Sequence, residues 1–214
     1  MELELTYTID GSTYRCNDPA LSRHAFYDMM RAGKMPITAQ VNVEEARAQL
    51  EEQLKHGNDL LCIMFSSALS GTYNSVRVAA QELEAKYPKR RVVVIDSLSA
   101  SAGQGMLVAR AVDYREQGLP LEENAARIRE DIPHQAHLFT VDDLNHLRRG
   151  GRVSAATALV GTMLGIKPVL HVDDTGHLVP VSKTRGRKAS LLALVDRMAE
   201  SAVDPAGQTI FISH

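Results

Sequence analysis

Residues 62–83, CIMFSSALSGTYNSVRVAAQEL, begin as a continuous apolar strand and end as a helix. An apolar run of this length, bounded by turn residues, is the pattern of a strand buried on both faces, as in a parallel sheet. The helix is expected over 72–86, with Pro88 ending it. At the joint stand two groups of small polar residues, Ser66-Ser67 and Ser70-Gly71-Thr72. A helix start presents unpaired backbone N–H groups and the positive end of the helix dipole, so an anion is stabilised there without a charged side chain. Gly71 lets a ligand approach the backbone, and the flanking hydroxyls can donate to an oxygen. The same residues also suit plain helix capping, and the stretch alone leaves both readings open.

Outward from this stretch the chain alternates helix and strand. RVVVIDS (91–97) reads as a second doubly buried strand, followed by helices over about 101–117 and 121–131. Upstream, MELELTYTIDGSTYRC (1–16) reads as a hairpin with Asp10-Gly11 at its tip. PALSRHAFYDMMRAG (19–33) carries a helical stripe at Ala25, Phe26, Met29 and Met30 stopped by Gly33. VNVEEARAQLEEQLKHGN (41–58) is an amphipathic helix opened by Asn42 with Glu45 three residues on and closed by Gly57. This order predicts an N-terminal, three-layer α/β domain around a parallel sheet, with ligands beyond the carboxyl ends of its strands.

From Ile132 the texture changes. HLFTVDDLNHLRRGGRVS (137–154) predicts a strand, a short helix and a double-glycine turn; two strands joined by DDTGH (173–177) predict an antiparallel hairpin. A helix at ASLLALVDRMAES (189–201) leads to a terminal strand, TIFISH (209–214). The expected domains are therefore 1–132 and 133–214, the second α/β with a mainly antiparallel sheet and incomplete. A strand at each end with nothing to pair it reads as a chain missing sequence on both sides.

Bulk composition narrows the partners. The 214 residues include 24 basic and 26 acidic side chains, a formal charge of −2, with no run of five like charges, so neither nucleic acid nor an anionic membrane surface is the expected partner. No stretch approaches the roughly 20 apolar residues of a membrane span, and stable membrane insertion and export are not expected. The two cysteines, Cys16 and Cys62, read as reduced thiols of a cytoplasmic protein. Histidines 24, 134, 137, 146, 171 and 177 show no metal-ligand spacing, so neither metal nor cofactor is expected.

Enzyme motifs fit poorly. There is no G-x-x-x-x-G-K-[ST] phosphate loop, the residues around Ser70 read A-L-S-G-T rather than G-x-S-x-G, and SAGQGMLVA (101–109) lacks the third glycine of a dinucleotide fingerprint.

The ordered set ITAQ (37–40), SSALSGTYNSV (66–76), VIDS (94–97), LRRGGRVSAATALVGTMLGIKPVL (147–170) and VPVSKTRGRKA (179–189) resembles the DegV family over about Leu5 to His214. That resemblance implies a bacterial fatty-acid-binding protein of two α/β domains that buries an acyl chain between or beneath them. In some members it serves as the binding subunit that presents the carboxylate to a separate fatty acid kinase. Carried over, Thr38 matches the threonine of the family's T-S-Q-P motif and Ser70 the serine of S-G-T, both carboxylate contacts, with Gln40, Gly71 and Thr72 beside them. His214 matches a histidine that completes the carboxylate network. Departures are Ala39 and Val41 for serine and proline, and Gly165 for asparagine before Ile166-Lys167-Pro168. The family's opening strand, with its Asp-Ser-Thr motif, has no match here and is expected to lie before the first residue of this sequence.

A buried alkyl chain gains about 0.8 kcal/mol per CH2, so the tail supplies affinity and the head group orientation. SAATALVGTMLGI (154–166) is the candidate tunnel wall, through Leu159, Met163, Leu164 and Ile166. Among the arginines and lysines at 148–152 and 183–188, Arg152 and Arg185 are assigned to the pocket mouth, where an acyl phosphate product and a kinase catalytic subunit would meet them. The competing reading is an acyl hydrolase or transferase using Ser70 with His214 as base; a third is a binder of another small carboxylate or phosphate.

Overall fold

The computed structural model describes residues 1–154 and 165–214. They group into two compact units, Met1–Leu60 with Ser70–Val94, and Leu61–Leu69 with Ile95–His214. The expected tunnel-wall residues Leu159, Met163 and Leu164 lie outside the described residues.

In the first unit the hairpin forms as the sequence predicts. Strands β1 (Thr6–Ile9) and β2 (Ser12–Arg15) are antiparallel, and Asp10 and Gly11 both take positive φ (54° and 80°), the geometry whose twist matches a two-residue hairpin. Helix α1 (Arg23–Arg31) opens at Ser22, whose Oγ accepts the Ala25 N–H at 3.2 Å. Its predicted stripe is the half-buried face, and Phe26 meets Tyr7 edge-on with ring centroids 5.0 Å apart. β3 (Ile37–Ala39), a strand that the sequence reading did not assign, joins the antiparallel sheet β2-β1-β3, with Thr38 opposite Tyr7.

Helix α2 (Val43–Lys55) carries the predicted capping box: Asn42 Oδ1 accepts the Glu45 N–H at 2.9 Å, and Glu45 accepts the Asn42 N–H at 3.3 Å. Its buried Ala46, Leu50 and Leu54 pack on α3 (Thr72–Lys86), which buries Val76, Ala79, Ala80 and Leu83. Glu51 ties the far ends of these helices, accepting from Lys86 Nζ at 2.6 Å and Tyr87 OH at 2.7 Å; these bonds lower its carboxyl from 4.5 to about 2. Asn42→Ala removes the reciprocal cap and is expected to lower unfolding stability by about 1 kcal/mol, measured by urea titration.

Strands β4 (Leu60–Met64) and β5 (Val92–Asp96) are the parallel pair. In the first unit Leu60 N–H donates to Arg91 C=O at 2.8 Å; in the second, Ser97 N–H donates to Met64 C=O at 3.1 Å. β5 buries Val92, Val93 and Ile95, but in β4 only Met64 is buried, so the double burial expected there is corrected. Among the described residues this sheet has two strands, too few to cover every face of β4.

The second unit contains α4 (Ser101–Glu116) packed on α5 (Leu121–Asp131), a 3-10 turn at Ile132–His134, β6 (Leu138–Thr140) and α6 (Asn145–Arg149). β7 (Ile166–Val172) and β8 (Leu178–Arg185) form the predicted hairpin in the antiparallel order β6-β7-β8, and α7 (Arg187–Ser201) packs on that sheet. Leu144 and Leu170 are its buried centre, with Phe139, Val141 and Leu147 against them. The strand predicted at 209–214 does not form. Its residues are exposed, Ile212 by 83%, and among the described residues no strand pairs with them, so the apolar pattern has no ladder to join.

Candidate functional site

The opening of α3 gathers four of the residues singled out in the sequence. Gly71 is the N-cap position and has no side chain to offer, so capping falls to its neighbour: Ser70 Oγ accepts the Thr72 N–H at 3.2 Å. Ser70 Oγ and Thr72 Oγ1 stand 3.0 Å apart and share a hydrogen bond, and Thr72 Oγ1 in turn accepts the Val41 N–H at 3.3 Å. Thr72 is buried and Ser70 half-buried. With the Thr72 hydroxyl donating to Ser70, the Ser70 oxygen accepts twice and its own proton is left for an acceptor outside the pair. The chain Val41 N–H, Thr72 O–H, Ser70 O–H polarises in that direction, which strengthens the last donor.

Gln40 follows β3 and its side-chain amide lies flat against Gly71. A Cβ built on Gly71 would collide with Gln40 Oε1 and stand 2.8 Å from Cδ and 3.0 Å from Nε2. The backbone at Gly71 is ordinary helical, φ −69°, so glycine is required here by space and not by dihedral. Capping and anion binding are therefore compatible: with Thr72 as donor of the shared bond, the Ser70 oxygen caps and its proton stays unused. Thr38 sits two residues before Gln40, exposed on β3.

The other three predicted residues lie in the second unit. Arg152 is half-buried; its Nε donates to Leu69 C=O at 3.0 Å and its Nη1 to Gly150 C=O, so it serves the turn that leads into Ser70. Arg185 ends β8 opposite Ile166 and is exposed, and His214 is exposed in the unpaired terminal segment. Among the described residues no hydrogen bond joins Arg152, Arg185 and His214 to one another.

Sequence reasoning passed over the residues that hold the turns. Asp96 Oδ1 accepts the N–H groups of Ser67 and Leu98, each at 3.1 Å, so one carboxylate fixes the turn after β4 and the turn after β5. Ser66, Ser97 and Ser99 are buried; Ser66 N–H donates to Ser99 C=O at 2.9 Å, and the Ser99 hydroxyl donates to Gln135 Oε1. Gln135 and Ser66 are polar residues with no local signal, because their partners lie 36 and 110 positions away.

Burial shifts the titration of Cys62 and of His137. The Cys62 thiol is pushed up to about 11, which keeps it neutral and unreactive. His137 packs on Gly103, its Nδ1 buried and without a partner among the described residues, and burial lowers its pKa below 6.5. The unfolded histidine accepts a proton that the folded one refuses, so this contribution to stability is complete above pH 6.5 and declines as the pH falls below it. Thermal midpoints measured between about pH 7.5 and pH 5.5 are expected to fall less steeply for His137→Gln than for the unsubstituted chain.

Among the described residues no group of three or more His, Cys, Asp or Glu gathers for a metal ion, and no helix is long and apolar enough to cross a membrane. The fold and site define a class: a mixed α/β protein with a parallel strand pair, a separate antiparallel sheet and a hydrogen-bonded hydroxyl pair at a helix start. The chain belongs to the DegV family, whose model matches residues 1–214. It is 43% identical to a DegV domain-containing protein of Clostridium perfringens over 213 residues, 99% of this chain and 73% of that protein. Among solved structures, a DegV family protein of Thermus thermophilus described for its fatty acid binding matches with a TM-score of 0.80 and 31% identity, covering 92% of this chain and 69% of that one. The Streptococcus pneumoniae Fatty Acid Kinase B3 protein, loaded with linoleic acid, matches with a TM-score of 0.81 and 27% identity, covering 92% and 69%.

Proposed function

We propose that this chain binds a long-chain fatty acid, holds its carboxylate at Ser70, Gly71, Thr72 and Gln40, and presents that carboxylate to a separate kinase. The observation that carries this reading is the Ser70–Thr72 hydroxyl pair, whose shared hydrogen bond leaves one of the two hydroxyl protons unused at the start of a 15-residue helix. Fatty acid binding by relatives of the same fold supports it. A hydroxyl donor with a helix dipole behind it stabilises a carboxylate without burying a second charge, and it leaves the other carboxylate oxygen open to chemistry. Transfer of the γ-phosphoryl group of ATP to that oxygen yields an acyl phosphate and ADP. The chain carries no phosphate loop, so the kinase supplies the nucleotide site.

Thr38, exposed on β3, belongs to the same reading as a further carboxylate contact. The roles of Arg185 and His214, the domain division at 132/133 and a cytoplasmic location rest on the family resemblance and the sequence. Native mass spectrometry of protein purified from a bacterial host is the test: one long-chain fatty acid per chain is expected, and a chain that stays empty when incubated with palmitate would reject the reading. Labelling of Ser70 by a fluorophosphonate probe would instead favour the hydrolase; it is not expected, because among the described residues the hydroxyl's partners are the backbone and hydroxyl of Thr72 and no base.

A further inference from the structure

We infer that the main-chain N–H of Val41, acting through the Thr72 hydroxyl, keeps the Ser70 proton free for the ligand and so makes the site select an ionised acid over the alcohol of the same chain length. This inference rests on the proposed role of Ser70 as the carboxylate donor. Val41, Ser70 and Thr72 belong to one compact unit, Met1–Leu60 with Ser70–Val94. The hydrogen bond between the two hydroxyls, 3.0 Å long, can run either way, and its direction decides what the pair offers. With Thr72 as donor, Ser70 keeps a proton to give. With Ser70 as donor, the pair would offer a carboxylate only a lone pair.

Two observations fix the direction. Val41 N–H donates to Thr72 Oγ1 at 3.3 Å, so that oxygen already faces one positive N–H, and Ser70 Oγ is the acceptor, among the described residues, for its own proton. Burial acts the same way. Were Ser70 the donor, the unused proton would sit on Thr72, which is 9% exposed, and a buried donor without a partner costs about 1–3 kcal/mol. With Thr72 the donor, the unused proton sits on half-buried Ser70, within reach of water or ligand. Val41 delivers its N–H from a fixed place: the residue is 2% exposed, and its neighbour Asn42 closes the reciprocal cap of α2. Val41 and Thr72 are in this sense positioning residues for Ser70.

The consequence is chemical. A hydrogen bond given to the charged form of an acid stabilises that form, so the bound acid stays ionised to lower pH. The ionised oxygen is the nucleophile that phosphoryl transfer requires. An alcohol gains only the weaker, neutral hydrogen bond.

Two readouts test this: the pH midpoint of bound palmitate, followed by the carbon-13 shift of its labelled carboxyl, and calorimetric binding of palmitate and of hexadecanol, which has the same tail and no carboxylate. The unsubstituted chain is compared with Val41→Pro, which removes the N–H, Thr72→Val, which removes the hydroxyl at equal volume, Thr72→Ser and Ser70→Ala. Far-ultraviolet dichroism first checks that each variant folds. Val41→Pro and Thr72→Val are each expected to bind palmitate about three- to tenfold more weakly, with hexadecanol affinity within about twofold of the parent. A loss confined to the ionised form raises the carboxyl midpoint by the logarithm of the same factor, about half to one pH unit. Thr72→Ser, which keeps the hydroxyl, is expected to recover the parent's midpoint. Should Val41→Pro fail to fold, Thr72→Val against Thr72→Ser decides. Equal losses for both ligands with an unmoved midpoint would mean that Val41 and Thr72 only support the fold, and would overturn the inference. If Ser70→Ala raises the midpoint while Val41→Pro and Thr72→Val leave it in place, the relay is wrong and the carboxylate site stands. If Ser70→Ala binds palmitate with the parent's affinity and midpoint, the carboxylate site itself is wrong and the relay goes with it.

Discussion

Ser70→Ala is expected to weaken palmitate binding by about 1.5–3 kcal/mol, roughly 10- to 100-fold, while the chain remains folded. The magnitude is that of a hydrogen bond to a charged acceptor in a partly buried place. Two losses combine: the donor itself, and the polarised sequence through Thr72 that strengthens it. The stability cost is smaller. Ser70 Oγ also caps Thr72 N–H, so its removal leaves one first-turn donor to water, a cost of about 1 kcal/mol that urea titration would register. Isothermal calorimetry with palmitate and with hexadecanol separates the two effects, since the cap matters to the fold with either ligand and the donor matters only to the acid.

The second large effect is expected at Gly71, through its neighbour. Gly71→Ala keeps an allowed backbone, φ −69°, but its methyl group occupies the space of the Gln40 amide, so Gln40 must swing away. Gln40 is exposed and flexible enough to do this without unfolding the unit. If the Gln40 amide contributes a hydrogen bond to the carboxylate, Gly71→Ala and Gln40→Gly should each weaken palmitate binding about three- to tenfold. The double variant should then be no worse than either single one, because both changes remove the same contact. Additive losses would mean that Gly71 is needed for close approach of the ligand to the helix backbone instead.

Much of the fold was legible because its signals are local. Asn42 and Glu45 announce a helix start three residues apart, Asp10-Gly11 announces a hairpin, and DDTGH joins two strands that do pair. Ser70-Gly71-Thr72 was legible for the same reason: hydroxyls around a glycine at a strand-to-helix joint point to a helix opening whatever else they do. The failures are failures of partnership. Ile37–Ala39 is three residues long, and nothing in it specifies β1 as its antiparallel neighbour. TIFISH has the apolar content of a strand, but a strand exists only with a partner, and among the described residues it has none. For Arg152 the sequence gives no sign of its partners, the carbonyls of Leu69 and Gly150, one of them 83 positions away. The Ser66 contact with Gly176 was beyond reach for the same reason, although the glycine of DDTGH is the kind of residue such a close approach requires.

The central claim is that the Ser70 hydroxyl grips the acid end of a bound fatty acid, and a crystal structure of the chain with palmitate tests it most directly. The account predicts one carboxylate oxygen within hydrogen-bond distance of Ser70 Oγ, with the Ser70–Thr72 pair intact behind it. Palmitate bound with its carboxylate in solvent or on other residues, and Ser70 bonded only to Thr72, would contradict it.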